Sequence, residues 1–228
     1  LKEGDYIEHL HICSTHDYLL FFTNRGKVYR LKVYELPEGS RTAKGRALVN
    51  VLPLKDGERV MAVKPTRDFS EGKFVVFGTK NGMIKKTEFK QYDTPMRADG
   101  IIASKIRKGD ELVQARLPSG KDGIIMVSAS GHAARFKEQA VRAMGRDTSG
   151  VRGMNVSEKG NRVLAVDVAR DEDDLFVLTE NGYGKRPRMA ESPVKGRGTK
   201  GVLTVKLTTK KGMLAGALSS VAAQAGAV

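Results

Sequence analysis

The side chains of this 228-residue sequence that could do chemistry are its bases, because they recur at fixed distances behind glycine. Four residues after Gly26, Gly82, Gly131 and Gly182 stand Arg30, Lys86, Arg135 and Arg186. Two residues further on come Lys32, Glu88, Lys137 and Arg188, so seven of the eight positions are basic. Lys85 and Lys185 lie beside two of them. A second glycine follows the first by 19, 18, 19 and 19 residues, at Gly45, Gly100, Gly150 and Gly201. The segments around it add Arg41, Lys44 and Arg46, then Arg146 and Arg152, then Lys195, Arg197 and Lys200. Cations set out along a surface bind a phosphate backbone by displacing its counterions, and glycine lets main-chain N–H groups approach phosphate. A single Lys or Arg is ordinarily just a solvated residue. The same placement in four successive segments is what points to a polyanion.

Other chemistries fail on spacing. Gly196-Arg197-Gly198-Thr199-Lys200-Gly201 spells G-x-G-x-x-G, but a strand pattern follows it (Val202 to Leu207), not a helix. No acid stands downstream for a ribose, so a dinucleotide site is excluded. His9, His11 and Cys13 alternate as strand neighbours would, without an evident fourth metal ligand. The acidic run Asp171 to Asp174 lacks the spaced ligands of a calcium loop and reads as a solvated turn. Ser14, His16 and Asp17 are close in sequence only. Neither a catalytic constellation nor a cofactor or metal site is expected.

The elements that must position the bases are short strands. Four apolar runs, Leu19 to Thr23, Phe74 to Thr79, Ile124 to Ser128 and Leu175 to Thr179, each lead into a turn ending in the first glycine. Three of those turns contain or resemble Asn-Gly, a strong hairpin signal. Six residues beyond the second glycine comes an apolar side chain, Val51, Ile106, Val156 or Leu207. Each unit closes on another short apolar strand, at 60–63, 112–115, 163–166 and 213–217. Units of about 50 residues with about four strands are propeller-type blades, which bury their faces only by stacking. The expected fold is therefore all-β, with blades at 14–66, 67–117, 118–168 and 169–218. Residues 1–13 hold the closing strand of a preceding repeat (Asp5 to Leu10), 219–228 form a tail, and Lys137 to Met144 offer one short helical turn. The whole reads as a slice of a longer array. Side chains alternate across a strand, so Arg30, Lys86, Arg135 and Arg186 are expected on one connected outer surface.

Composition agrees. Forty Lys and Arg against 26 Asp and Glu give a formal charge of +14, which selects polyanionic partners. Tyr and Phe number 6 and 8, Trp is absent, and the aromatics do not interleave with the bases. Duplex phosphate contact therefore fits better than single-strand stacking. No apolar window approaches the roughly 18 residues of a membrane span, and no signal-peptide pattern opens the sequence, so a cytoplasmic location is expected. The lone Cys13 forms no internal disulfide.

The stretches Thr15 to Glu38 (THDYLLFFTNRGKVYRLKVYELPE), Val141 to Met154 (VRAMGRDTSGVRGM), Asn181 to Arg186 and Thr199 to Val202 resemble the C-terminal domain of DNA gyrase A. The resemblance covers about 1–217 and implies a β-pinwheel of about six blades, with duplex DNA wrapped on a basic rim. It further implies a non-catalytic part of an ATP- and Mg-dependent supercoiling enzyme, partnered by the rest of gyrase A and by gyrase B. The family's heptapeptide, Gln-(Arg/Lys)-Arg-Gly-Gly-(Arg/Lys)-Gly, has no intact copy. Its nearest counterparts are Gly39 to Gly45, matching at Arg41, Lys44 and Gly45, and Lys195 to Gly201, matching at Arg197, Gly198, Lys200 and Gly201. Binding with weak wrapping is the resulting expectation. The related topoisomerase IV domain and a propeller-type scaffold for an acidic protein are the alternatives.

Overall fold

A strand buried on both faces reads as an unbroken apolar run, and the four runs before the first glycines are the inner strands of four sheets. The computed structural model describes residues 7–40, 42–70 and 73–221. The first sheet contains β1 (Tyr18–Thr23), β2 (Lys27–Lys32) and β3 (Val60–Thr66). The second repeat supplies β4 (Phe74–Thr79), β5 (Met83–Glu88), β6 (Ile101–Ile102) and β7 (Leu112–Arg116). The third supplies β8 (Gly123–Ser128), β9 (His132–Lys137), β10 (Val151–Arg152) and β11 (Val163–Ala169). The fourth supplies β12 (Asp173–Thr179), β13 (Gly184–Lys185), β14 (Val202–Leu203) and β15 (Leu214–Val221).

Repeats and sheets are offset by one strand. The orders are β3-β1-β2-β6, β7-β4-β5-β10, β11-β8-β9-β14 and β15-β12-β13, all antiparallel. The short strand after the second glycine therefore joins the sheet of the preceding repeat: Ile101 pairs with Val28, Val151 with Ile84 and Val202 with Ala133. The expected blade boundaries follow the sequence repeat, whereas each sheet borrows its fourth strand from the next one. Among the described residues the fourth sheet has three strands.

Stacking gives one apolar core per junction. Leu20, Phe22 and Val28 meet Val75, Phe77, Phe89 and Tyr92; Val76 and Ile84 meet Ile124, Met126 and Phe136; Ile125 and Val127 meet Leu175, Val177 and Met189. Adjacent residues of one strand, such as Val75 and Val76, thus feed different cores.

The first glycine of each hairpin is the docking point for the next repeat. The Gly26 carbonyl accepts from the N–H groups of Ala103 and Ser104, Gly82 from Gly153 and Met154, and Gly131 from Thr204 and Val205. A Cβ on Gly131 (φ +80°) would lie 2.4 Å from the Val205 carbonyl oxygen, whereas one on Gly182 (φ +78°) would meet nothing within 4 Å. The apolar residue six positions after the second glycine belongs to the same contact, with Ile106 against Gly26, Val156 against Gly82 and Leu207 against Gly131.

Three local expectations change. Ile7 to Leu10 form no strand, because no described strand runs beside them to share backbone hydrogen bonds; Asp5 and Tyr6 lie outside the described residues. The tail begins later than position 219, since β15 continues through Ser219 and Ser220, paired with Leu175 and Asp174. The helical turn expected at Lys137 to Met144 is a 3-10 turn of three residues, Glu138–Ala140, with equivalents at Phe89–Tyr92 and Met189–Glu191.

The two glycines separate strain from collision. Gly182→Ala meets only the left-handed φ, a cost of about 1–2 kcal/mol. Gly131→Ala adds a clash with backbone and is expected to lose at least about 3 kcal/mol in urea unfolding. Equal losses would show that the junction is not closely packed at this glycine.

Candidate nucleic-acid interface

The bases four residues after the hairpin glycine are not an outer stripe. In β2, β5 and β9 the residues two and four after the glycine face the next repeat, which stacks on that side of the sheet. Lys86 and Arg135 are buried and Arg30 is half-buried. Each donates to a carbonyl of the 3-10 turn or its cap in the following repeat. Arg30 Nη1 reaches the Tyr92 oxygen at 3.5 Å, and Lys86 Nζ reaches that of Glu138 at 3.3 Å. Arg135 donates to Met189 at 3.1 Å, Ser192 at 3.4 Å and the Asp171 carboxylate at 2.7 Å. Lys86 also pairs with the fully buried Glu138 carboxylate at 3.5 Å. Arg30 additionally lies 4.9 Å from the Tyr18 ring centroid. These cations staple one repeat to the next and are withdrawn from phosphate. Arg186 alone of the four is exposed, turned onto Asp174 of its own sheet at 2.8 Å.

Lys85 is likewise buried, donating to the Ala103 carbonyl at 2.9 Å and to the carbonyl of Arg146. Desolvation is the main cause that pulls its ammonium down to about 7, with Asp147 opposing and Arg146 reinforcing the shift. Its counterpart Lys185 is exposed and donates to Thr204 at 3.2 Å. Lys32 is half-buried over the Tyr18 ring, 3.4 Å from the centroid, while Lys137 and Arg188 at the equivalent strand ends are exposed.

Exposed positive charge lies instead on the segments around the second glycine, with Lys200 there paired to Glu158 at 2.5 Å. Lys44, Arg46, Arg152, Lys195, Arg197 and Lys200 are exposed and Arg146 is half-buried; Arg41 lies outside the described residues. The second, third and fourth segments run along the outer edge of the preceding sheet, which places their side chains on the rim, whereas that of Lys44 and Arg46 pairs with no described strand. The third and fourth are brought together: Arg197 donates to the Arg152 carbonyl at 3.1 Å, and Met154 bridges Thr199 in parallel. Two rim bases were not singled out in the sequence, Arg97 and Arg142, both exposed. Arg97 stands fifteen residues after Gly82, as Arg41, Arg146 and Arg197 do after Gly26, Gly131 and Gly182, so offsets from the first glycine would have found it. The second glycine itself has a structural use. A Cβ on Gly201 would lie 2.3 Å from the Ala133 carbonyl oxygen, so this glycine serves strand exchange and not phosphate approach.

Among the described residues no group of three or more His, Cys, Asp or Glu is placed to hold a metal, and no helix is long and apolar enough to cross a membrane. The acidic run is a solvated turn only at Asp171 and Glu172, with Asp171 tied to Arg135; Asp173 and Asp174 open β12, where Asp173 is buried and Asp174 pairs with Arg186, because pairing with β15 draws them into the sheet.

Comparison with known proteins gives a consistent answer. A family model described as DNA gyrase C-terminal domain, beta-propeller matches residues 17–67, 73–119, 124–170 and 173–220, one match per repeat. The DNA gyrase A protein of Escherichia coli (strain K12) is 45% identical over 218 residues, covering 96% of this chain and 25% of that protein. The DNA gyrase A protein of Mycolicibacterium smegmatis (strain ATCC 700084 / mc(2)155) is 44% identical over 220 residues, 96% of this chain and 26% of that protein. The chain thus spans about a quarter of these relatives. Among solved structures, a C-terminal domain of DNA topoisomerase IV superposes with TM-score 0.82 at 28% identity, over 90% of this chain and 64% of that one. A DNA gyrase A C-terminal domain superposes with TM-score 0.75 at 28% identity, over 91% and 67%.

Lys85 gives the junction a pH signature. Unfolded, its amine holds a proton up to about 10.5; folded, it releases it near 7. The penalty for burying the charge is complete below pH 7 and fades as pH rises toward 10.5, so this group makes the fold more stable with rising pH. The difference in stability between the unaltered chain and Lys85→Met should shift by at least about 1 kcal/mol between pH 7 and pH 9, in favour of the unaltered chain. Parallel pH dependences of the two urea midpoints would contradict it.

Proposed function

The chain belongs to the DNA gyrase C-terminal domain family, and from that premise we propose that it holds duplex DNA along its rim and bends it without reading base sequence. The observation that carries this reading is the cluster of exposed bases on adjoining second-glycine segments, Arg152 with Lys195, Arg197 and Lys200. Phosphate contacts of this kind fix the path of a duplex and carry no sequence information. The bound duplex would serve a larger enzyme. Its remaining gyrase A parts and gyrase B would supply strand passage with ATP and Mg, and this domain would present the crossing segment for negative supercoiling, in the cytoplasm. No step of bond making or breaking falls to this chain. Topoisomerase IV domains share the architecture, and the gyrase reading is preferred on the 44–45% identity to gyrase A proteins.

Wrapping is a stronger demand than binding, since bending 20–30 base pairs by 40–90° costs about 1–6 kcal/mol and needs contacts all along the arc. Clear binding with little change of linking number is therefore expected when relaxed plasmid is closed in the presence of this chain. A positive change equal to that produced by a full-length relative's domain would refute weak wrapping.

Binding itself is tested by replacing Arg152, Lys195, Arg197 and Lys200 with Glu. Duplex affinity should fall at least ten-fold at moderate salt, and the slope of log affinity on log salt should flatten by about 0.9 for each phosphate no longer neutralised. The proposal fails if affinity is unchanged. Salt-insensitive capture of one acidic protein would favour the scaffold reading.

A further inference from the structure

The rim is not continuously basic. In the second repeat its segment 93–99 carries Asp93 and Asp99 against Arg97 alone. The two acids are paired inward, Asp99 with Lys27 at 3.3 Å and Asp93 with Arg30 at 4.0 Å. With both acids neutralised by these partners, Arg97 alone is left to a phosphate backbone following the rim, so this interval is its most weakly basic.

A second line of bases has no such gap. Each hairpin tip is bonded to a turn that ends its own repeat: Asn24 Nδ2 donates to Gly57 at 3.1 Å and Asn181 Nδ2 to Lys210 at 2.8 Å. The Ser130 N–H similarly donates to Asn161 Oδ1 at 3.2 Å. The four turns contain glycines of positive φ, Gly57, Gly109, Gly160 and Gly212. One or two residues before each stands an exposed lysine, Lys55, Lys108, Lys159 or Lys210. Taken together, the tips and turns (24–26 with 55–59, 80–82 with 107–111, 129–131 with 158–162, 180–182 with 208–212) present ten exposed or half-buried bases and four such acids. Bases are in excess in every repeat. The remaining two acids turn inward, Glu58 accepting from Thr23 at 2.7 Å and Asp110 from Thr79 at 2.6 Å.

The four corners touch in succession. The strand leaving each turn donates its first N–H to the preceding tip, Leu112 to Asn24 at 2.8 Å, Val163 to Lys80 at 2.8 Å and Leu214 to Ala129 at 3.3 Å. Arg59 and Glu111 also pair across the first junction at 3.4 Å. None of the large exposed apolar side chains lies in these segments, so they lack the anchors of a protein-docking surface. Point charges on a repeating spacing match phosphate. The line also adjoins the rim, where Lys200 pairs with Glu158 of the third turn at 2.5 Å.

We propose that this corner line is a second duplex-binding surface, along which the phosphate backbone crosses the second repeat beside the weakly basic interval of the rim. It rests on the rim reading, and the two can fail separately. The substitutions Lys55→Gln, Lys108→Gln, Lys159→Gln and Lys210→Gln, made together in the whole chain, remove four exposed charges. The unfolding midpoint is compared with that of the unaltered chain to confirm the fold. Affinity for a duplex long enough to span all four repeats is measured across a salt series, beside the four-residue rim variant. The expected result is a ten-fold or greater loss at low salt and a slope flatter by about 2–4, at about 0.9 per phosphate. A corner variant that binds like the unaltered chain while the rim variant is weakened overturns this inference and leaves the rim reading standing. Unchanged binding in both variants overturns both. If the corner variant loses affinity for poly-glutamate but not for duplex, the surface belongs to an acidic protein and the inference is wrong.

Discussion

Every junction in this molecule depends on one constraint: no sheet is completed by its own repeat. The strand after the second glycine crosses to the preceding sheet, and the hairpin glycine of that sheet offers its carbonyl to two N–H groups of the incoming chain. An edge strand with unpaired amides is a liability in water, and pairing it with the next repeat removes one edge per junction. The fixed offset between the two glycines follows from this exchange. It is the length of chain needed to turn back, form the 3-10 turn and return along the outer edge of the neighbouring sheet.

The same constraint explains why bases occupy interior positions. The 3-10 turns of the second, third and fourth repeats point carbonyl groups at the preceding sheet, and a carbonyl can accept a second hydrogen bond beside its backbone one. In the first three repeats a cation four residues after the hairpin glycine donates to them across the junction. Lys86 reinforces the contact with the buried Glu138, and Arg135 with Asp171, since a buried charge is tolerated only when paired and hydrogen-bonded. Lys85 lacks a carboxylate at hydrogen-bonding distance among its partners and bonds only carbonyls, and its proton is correspondingly weakly held.

Exposed bases and framework bases are therefore divided largely by position along the repeat. In the first three repeats the base four residues behind the hairpin glycine holds the next repeat, while most bases near the second glycine, and Lys55, Lys108, Lys159 and Lys210 beside Gly57, Gly109, Gly160 and Gly212, face solvent. Net positive charge alone does not distinguish them, because the same residue types serve both purposes.

The sequence by itself determined the all-β class, the number of repeats, the hairpins and the closing strands, because alternation, turn glycines and apolar runs are local signals. It also marked the second-glycine segments as basic, and Arg152, Lys195, Arg197 and Lys200 are indeed exposed. The placing of Arg30, Lys86 and Arg135 was decided only in the tertiary structure. Two-residue alternation identifies which side chains share a face but not what covers that face, and here the next repeat covers it. Strand exchange was equally illegible. Ile101–Ile102, Val151–Arg152 and Val202–Leu203 are two-residue strands whose pairing partner lies about 70 residues back in the chain, as in Ile101 with Val28. A pairing that distant leaves no periodic trace in so short a segment, and it is fixed by the register of the whole stack.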